Sequence, residues 1–316
     1  MRDTPKSLVA LLTDLVDYAG LFPPAGLSMG QAVERYASYR QGPRAWALGR
    51  FIVPAARLHD FANTLSALPA SRRGGPPWRL SVLVDPPLRP ALESVRAFGR
   101  ELTLSGDPLA GEAGTAAPAQ IEAVEGKVTS GDDLRVLAEV MDAFEVFAEM
   151  PLSPVPDALL RVAGDVGCAA KVRTGGTTPE AFPASSALSA FLAGCDGHGV
   201  PFKATAGLHH PLRAPHPVTY EPGAPRAVMH GFLNVFLAAA LLHAGVIDRL
   251  QTEALLDETD ASAFTFDDEQ AGWRGYRAST SVLSTARTFS RCFGSCSFEE
   301  PIDDLTRLAL LHTTTS

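Results

Sequence analysis

The chain predicts a (β/α)8 barrel with a C-terminal extension, on three observations. Short apolar, β-branched runs alternate with stretches of helical periodicity, the pattern of parallel βαβ units, and about eight such runs are present. The runs end in turn-forming or polar residues, as the ligand-binding face of a barrel does. The Gly-rich fingerprint that follows the first strand of an open doubly wound sheet is missing between Gly20 and Gly30.

In chain order, the apolar runs predict strands over 18–22, 45–53, 78–84, 119–124, 145–149, 167–172 and 200–206, with an eighth placed loosely after Tyr220. Helices fit between them over 29–39, 58–68, 90–102, 132–143, 156–166 and 185–195, each with apolar residues at three-to-four spacing and several starting at Ser, Asp or Pro. The stretch 105–119 is small, polar and rich in Gly and Ala, and reads as a loose loop or disordered insertion. Beyond Leu250 the chain changes character, with acidic residues over 253–269 followed by Arg277, Arg287 and Arg291. Residues 1–250 are therefore expected to form the barrel and 251–316 an extension packed on it, a candidate lid.

Composition narrows the function. The chain has 316 residues, 46% hydrophobic and 20% charged, with a net charge of −8 and a pI near 5.5. That length can bury a barrel-sized core. No basic stripe is present to release counterions from a nucleic-acid backbone. The first 12 residues lack the basic start and long apolar region of a signal peptide, and the apolar run over 231–246 contains Asn234 and His243. Neither a signal peptide nor a membrane span is expected. Cys168, Cys195, Cys292 and Cys296 form neither a metal-finger pattern nor a disulfide framework. The expectation is a cytoplasmic protein with no nucleic-acid or membrane partner, a small carbonyl or carboxylate substrate and no cofactor; a homo-oligomer stays open.

Lysine is nearly absent: of 27 basic side chains, only Lys6, Lys127, Lys171 and Lys203 are lysine. With arginine as the general surface cation, lysine is expected where a guanidinium cannot act, in Schiff-base or proton-transfer chemistry. Lys127, Lys171 and Lys203 each end a strand-like run. The runs Ala170-Lys171-Val172-Arg173-Thr174-Gly175-Gly176 and Phe202-Lys203-Ala204-Thr205-Ala206-Gly207-Leu208 place their lysines 32 residues apart, one βα unit, and so on adjacent strands. Repulsion between the two ammonium groups, with burial, is expected to leave one amine neutral and nucleophilic.

Over residues 166–210 these runs resemble the sixth and seventh strands of deoxyribose-phosphate aldolase and its class I aldolase relatives, where Lys-Thr-Ser-Thr-Gly is followed one unit later by Lys-Ala-Ser-Gly-Gly. The resemblance implies that Lys171 is the Schiff-base lysine and Lys203 the neighbour that depresses its pKa. The proton relay of such an enzyme needs a carboxylate near the imine, and Glu125 and Glu149, each closing a predicted strand, are both candidates. The chain departs from the family at Arg173, Gly175 and Gly176, where a small hydroxyl run is usual, and at His209-His210-Pro211-Leu212-Arg213, where a Gly-Ile-Arg turn is usual. The Gly-rich phosphate loop after the eighth strand is missing, which leaves a phosphate handle on the substrate unsupported. The alternative is a fixed ion network in which Lys127, Lys171 and Lys203 pair with Glu125, Glu149 and Asp85.

His209 and His210, with His216 and His230 close in sequence, read in two ways. With Glu149 or Asp85 they would hold a metal ion in a hydrolase or lyase; otherwise they orient a substrate oxygen or cap a turn. Adjacent strand residues face opposite sides, so His209 and His210 can share one ion only from an irregular loop. His230 and Asn234 lie on one face at the start of an apolar helix and, with Arg213, either hold a carboxylate or hydroxyl or are satisfied polar groups in a buried helix. Arg50 puts a cation into an apolar strand, where it needs a carboxylate or a ligand. Asp14 and Asp17 read as helix-face and turn residues rather than a catalytic pair, with an approach to the barrel mouth left open, and the run from Gly294 to Phe298 lacks the second glycine and upstream strand of a nucleophile elbow.

The sequence thus predicts an aldolase-like lyase acting through Lys171, Lys203, Glu149 and Glu125, with Arg50, Arg173, His209, His210, Arg213, His230 and Asn234 around the substrate. Its rivals are a metal-dependent hydrolase or lyase centred on His209, His210 and His230, and a non-catalytic barrel that binds a small anion.

Overall fold

The computed structural model describes residues 4–104 and 119–311. Seven parallel strands come first: β1 (Val16–Tyr18), β2 (Leu48–Pro54), β3 (Trp78–Val84), β4 (Ala119–Lys127), β5 (Glu145–Glu149), β6 (Ala169–Arg173) and β7 (Phe202–Thr205). An antiparallel hairpin, β8 (Ala214–Pro217) and β9 (Arg226–Met229), and a three-stranded sheet, β10 (Phe264–Phe266), β11 (Gln270–Trp273) and β12 (Tyr276–Ser279), follow. The chain then returns as β13 (Ser290–Ser295), which lies between β7 and β1 and closes an eight-stranded parallel barrel. The (β/α)8 expectation is met, with helices between the strands.

Two placements are corrected. The first strand is Val16–Tyr18, not 18–22, because Phe22 turns back to bond Ala19 and the prolines at 23 and 24 have no N–H for a ladder. The eighth strand is not after Tyr220 but in the segment read as an extension, so the boundary expected at residue 250 does not hold. The N–H of Phe293 donates to Leu15 at 2.9 Å, that of Ala19 to Ser295 at 2.7 Å, and that of Phe202 to Phe289 at 2.8 Å, pairing edges of β1 and β7 that would otherwise stay open. Apart from Ala119, which opens β4, the loop expected over 105–119 lies outside the described residues.

Alternation along the strands sorts the side chains. Phe51, Trp78, Phe202 and Phe293 point into the helix layer, where Tyr36 meets Trp78 at 5.0 Å and Phe51 meets Phe61 at 5.3 Å between ring centroids. The apolar run after Gly231 forms a helix, Phe232–His243, whose residues 232–241 are all buried. Phe236 stacks on Phe202 at 5.9 Å and Phe232 on Phe293 at 5.4 Å. A helix apolar on every side belongs under other elements, and here those of Ser185–Gly197, Arg249–Leu256 and Thr280–Ala286 cover it. Among the described residues no helix is long and apolar enough to cross a membrane.

The barrel interior is layered. Phe147, Ala123, Ala169 and Cys292, from four different strands, pack together across the lumen. Arginines and carboxylates lie toward the strand starts below this layer, and lysines and carboxylates toward the strand ends above it. On β4 the pairing passes from Leu80↔Ile121 to Ser81↔Ala123, so Glu122 is a bulge residue and breaks the alternation.

Candidate active site

Three neighbouring strands bring their chemistry to one level. Glu149 on β5 is in register with Lys171 on β6, and Lys171 with Lys203 on β7. A side-chain period of two therefore turns all three inward together. Lys171 Nζ lies 2.8 Å from Glu125 Oε2 and 3.0 Å from Glu149 Oε2. Lys203 Nζ lies 2.6 Å from Glu125 Oε1 and 2.5 Å from Asp17 Oδ2. Glu125 thus stands between the two lysines, and Ser81 Oγ donates to its Oε1 at 2.5 Å.

Asp17 is the residue the sequence reading missed. It is a buried strand residue, not a turn residue, and its Oδ1 accepts the backbone N–H of Arg50 at 2.7 Å. Gly49 makes that docking possible, since a Cβ there would stand 2.2 Å from Asp17 Oδ1. The available signal was an acidic residue between Val16 and Tyr18 in an otherwise apolar stretch.

Burial by itself would push the Glu125 carboxyl up, but Lys171 and Lys203 outweigh it and hold the group well below the usual carboxylate range. Burial would likewise push Lys203 down, but Asp17 and Glu125 hold its ammonium well above the ordinary lysine value. The expected bare repulsion between two ammonium groups is therefore corrected: a shared carboxylate separates them, and Lys203 stays charged.

The lysines differ in access. Lys203 is 0% exposed and Lys171 4%. A cavity of about 260 Å3 opens over the strand ends, walled by Lys171, Glu125 and Glu149, with Ile52 and Leu83 as apolar neighbours. Arg173, half-exposed at the rim, lies 3.7 Å from Glu149, and His209 lines the cavity with its Nδ1 3.1 Å from Glu300 and 3.5 Å from Ser295 Oγ. Lys127 and Asp85, members of the expected ion network, are both exposed and outside it. The two runs after the lysines have a local structural use as well. Thr174 Oγ1 donates to the carbonyl of Ala206 at 2.6 Å, and a Cβ on Gly175 would meet Gly207 Cα at 2.8 Å, so the loops after β6 and β7 are sutured together.

Other expected site residues lie elsewhere. Arg50 is at the opposite end of the barrel, 3.0 Å from Glu122 and 2.8 Å from Glu145, which satisfies a cation in an apolar strand by ion pairing. His210 faces an adjoining crevice, bonded to Asp304 at 2.5 Å and stacked on His216 at 3.4 Å. His230 donates from Nε2 to the Pro183 carbonyl at 2.9 Å and faces Arg213 Nη1 at 3.3 Å through Nδ1. Asn234 donates to the carbonyls of Leu255 and Glu258, each at 2.8 Å, and accepts the Arg213 N–H at 3.1 Å. Arg213, His230 and Asn234 thus tie a loop to the helix layer, away from the lysine cavity. His209, His210 and His230 do not converge, and among the described residues no group of three or more His, Cys, Asp or Glu is arranged to hold a metal ion.

No protein-family model matches the chain, and no curated protein matches it. A solved lysine/ornithine decarboxylase complexed with cadaverine, from Vibrio vulnificus, aligns with 77% of this chain and 57% of its own at a TM-score of 0.38 and 11% sequence identity. The chain thus spans under two thirds of that protein's length, a likeness too distant to bear on the site.

Proposed function

We propose that this barrel is a carbonyl-processing enzyme, a class I aldolase-like carbon–carbon lyase that acts through an imine on Lys171. One observation carries the reading: Lys171 opens on the cavity with two carboxylates within 3.0 Å, while Lys203 is sealed behind them. The resemblance of residues 166–210 to class I aldolases supports the same assignment.

In this reading Lys171 passes a proton to Glu149, and its free amine adds to the substrate carbonyl carbon. The nitrogen of the adduct gives up one proton to the former carbonyl oxygen, Glu149 returns the other, and the oxygen leaves as water. The resulting iminium accepts the electron pair of the adjacent carbon–carbon bond as that bond breaks, and Glu149 takes the hydroxyl proton of the departing aldehyde. Glu125, held ionised by both lysines, balances the iminium charge from below. A cavity of about 260 Å3 suits a small substrate, and Arg173 at its rim is placed for a carboxylate.

A fixed ion network is the second reading, favoured because each lysine already has two carboxylate partners. Intact mass after incubation with small aldehydes or keto acids and borohydride separates the two. An imine enzyme gives a stable adduct that is lost in Lys171→Arg; an adduct that persists in that variant, or none with any carbonyl, overturns the proposal.

A further inference from the structure

Another cavity lies at the other end of the barrel, where the strands begin, and measures about 410 Å3. Four arginines line it: Arg50, Arg79, Arg287 and Arg291. Arg50 and Arg79 are satisfied. They share Glu122, each through a 3.0 Å contact, and Arg50 also takes Glu145 at 2.8 Å while Arg79 takes Asp14 at 2.7 Å. Asp17, the remaining carboxylate of this wall, is committed to Lys203.

The other two guanidiniums are under-compensated. Arg291 has only Glu145, already paired with Arg50: its Nε lies 3.3 Å from Glu145 Oε1 without making a hydrogen bond, and its side chain is 39% exposed. Arg287 has no carboxylate within ion-pair distance among the described residues; its donors go to the carbonyls of Ser290 and Thr13. Burial pushes the Arg287 guanidinium down to about 10, with Arg291 acting the same way and Cys292, Asp14 and Asp17 opposing. The Arg287 guanidinium, partly buried and 5.8 Å over the Phe236 ring, thus faces neutral carbonyls, a ring face and a second cation, an arrangement that an anion would compensate.

We propose that this lower mouth binds a small oxyanion, a phosphate or carboxylate group, between Arg287 and Arg291. The planar donor forks of two guanidiniums match the paired oxygens of such a group. The site is independent of the imine reading, since none of its arginines lines the lysine cavity.

Calorimetric titration of the full chain with inorganic phosphate and, separately, with citrate at constant ionic strength tests the site and distinguishes the two oxyanions. At least one should bind saturably, with an affinity roughly tenfold or more weaker in Arg287→Gln and in Arg291→Gln, and unchanged in Arg161→Gln, an exposed helix residue that lines neither cavity. Crystals of the unaltered protein soaked in selenate give a readout that does not depend on the variants folding, with an anomalous peak expected between Arg287 and Arg291. Saturation by neither anion, binding lost in Arg161→Gln but kept in the other two, or a selenate peak only at the upper mouth would each overturn the proposal.

Discussion

The two mouths of the barrel use different cations against the same kind of partner. At the lower mouth the cations are arginines, two of them sharing Glu122. At the upper mouth the buried cations are lysines, with Arg173 only at the exposed rim, and Glu125 is the shared carboxylate. An arginine fixes geometry and keeps its proton at any physiological pH, whereas a lysine can give its proton up. The scarcity of lysine therefore carried information, but only in part: Lys6 and Lys127 are exposed, while Lys171 and Lys203 are buried together.

The difference is sharpest at Lys203, and its removal should have the largest effect. Lys203→Met leaves Asp17 and Glu125 sealed with one cation fewer, and breaking such a pair costs about 3–5 kcal/mol. Urea unfolding at pH 7 measures it. A loss below about 1 kcal/mol would mean that the upper network tolerates an uncompensated charge and is no more fixed than a surface pair.

Gly49 joins the two ends, because Asp17 rests on the backbone beside it and holds Lys203 from there. In Gly49→Ala the added methyl would have to displace the Asp17 carboxylate, an overpacking cost of about 1–3 kcal/mol. If the variant unfolds at the same urea concentration as the unaltered protein, Asp17 is not clamped as described.

His230 tests whether a third region, the apolar helix layer, follows either pattern. Burial, with Arg213 in the same direction, lowers its pKa to about 4. The unfolded chain, near 6.5, takes up a proton first as pH falls. Stability is thus full above about pH 6.5, declines toward pH 4 and levels below it, a loss of about 2 kcal/mol between pH 7 and pH 5. Unfolding midpoints at those two pH values, for the unaltered protein and for His230→Asn, isolate this contribution from that of His216, which is also lowered to about 4. An equal pH loss in both proteins would show that His230 is not the group responsible.

The strands over Trp78–Val84 and Glu145–Glu149 were legible to the residue because alternation and flanking turns agree there. The inward-facing lysines were legible for the same reason: each sits on a strand whose neighbours Ala170 and Val172, or Phe202 and Ala204, are plainly outward and apolar. The closing strand was not, since Ser290–Ser295 carries serine, arginine, cysteine and glycine around one phenylalanine and is defined by the edges it fills. Asp17 was hidden because a three-residue strand has no period to read. The Arg50–Glu122 pair depends on a bulge, which alternation cannot foresee. The histidines were misleading: closeness in sequence within an irregular loop left His209 and His210 beside Glu300, His210 also bonded to Asp304, and sent His230 to the Pro183 carbonyl.

The smallest effect is expected at the lower rim and completes the contrast with Lys203. Arg79 bonds Asp14 and Glu122, but its side chain is 34% exposed and that of Asp14 49%. Water can replace much of what Arg79→Gln removes, and Arg50 still faces Glu122, so the cost should stay below about 1 kcal/mol and shrink further in high salt. The salt dependence matters as much as the size, because a sealed pair such as Lys203 with Asp17 is screened little by added ions. Should Arg79→Gln cost as much as Lys203→Met, and do so at every salt concentration, the lower arginines would be as structural as the upper lysines, and the choice of lysine at the upper mouth would no longer point to proton transfer.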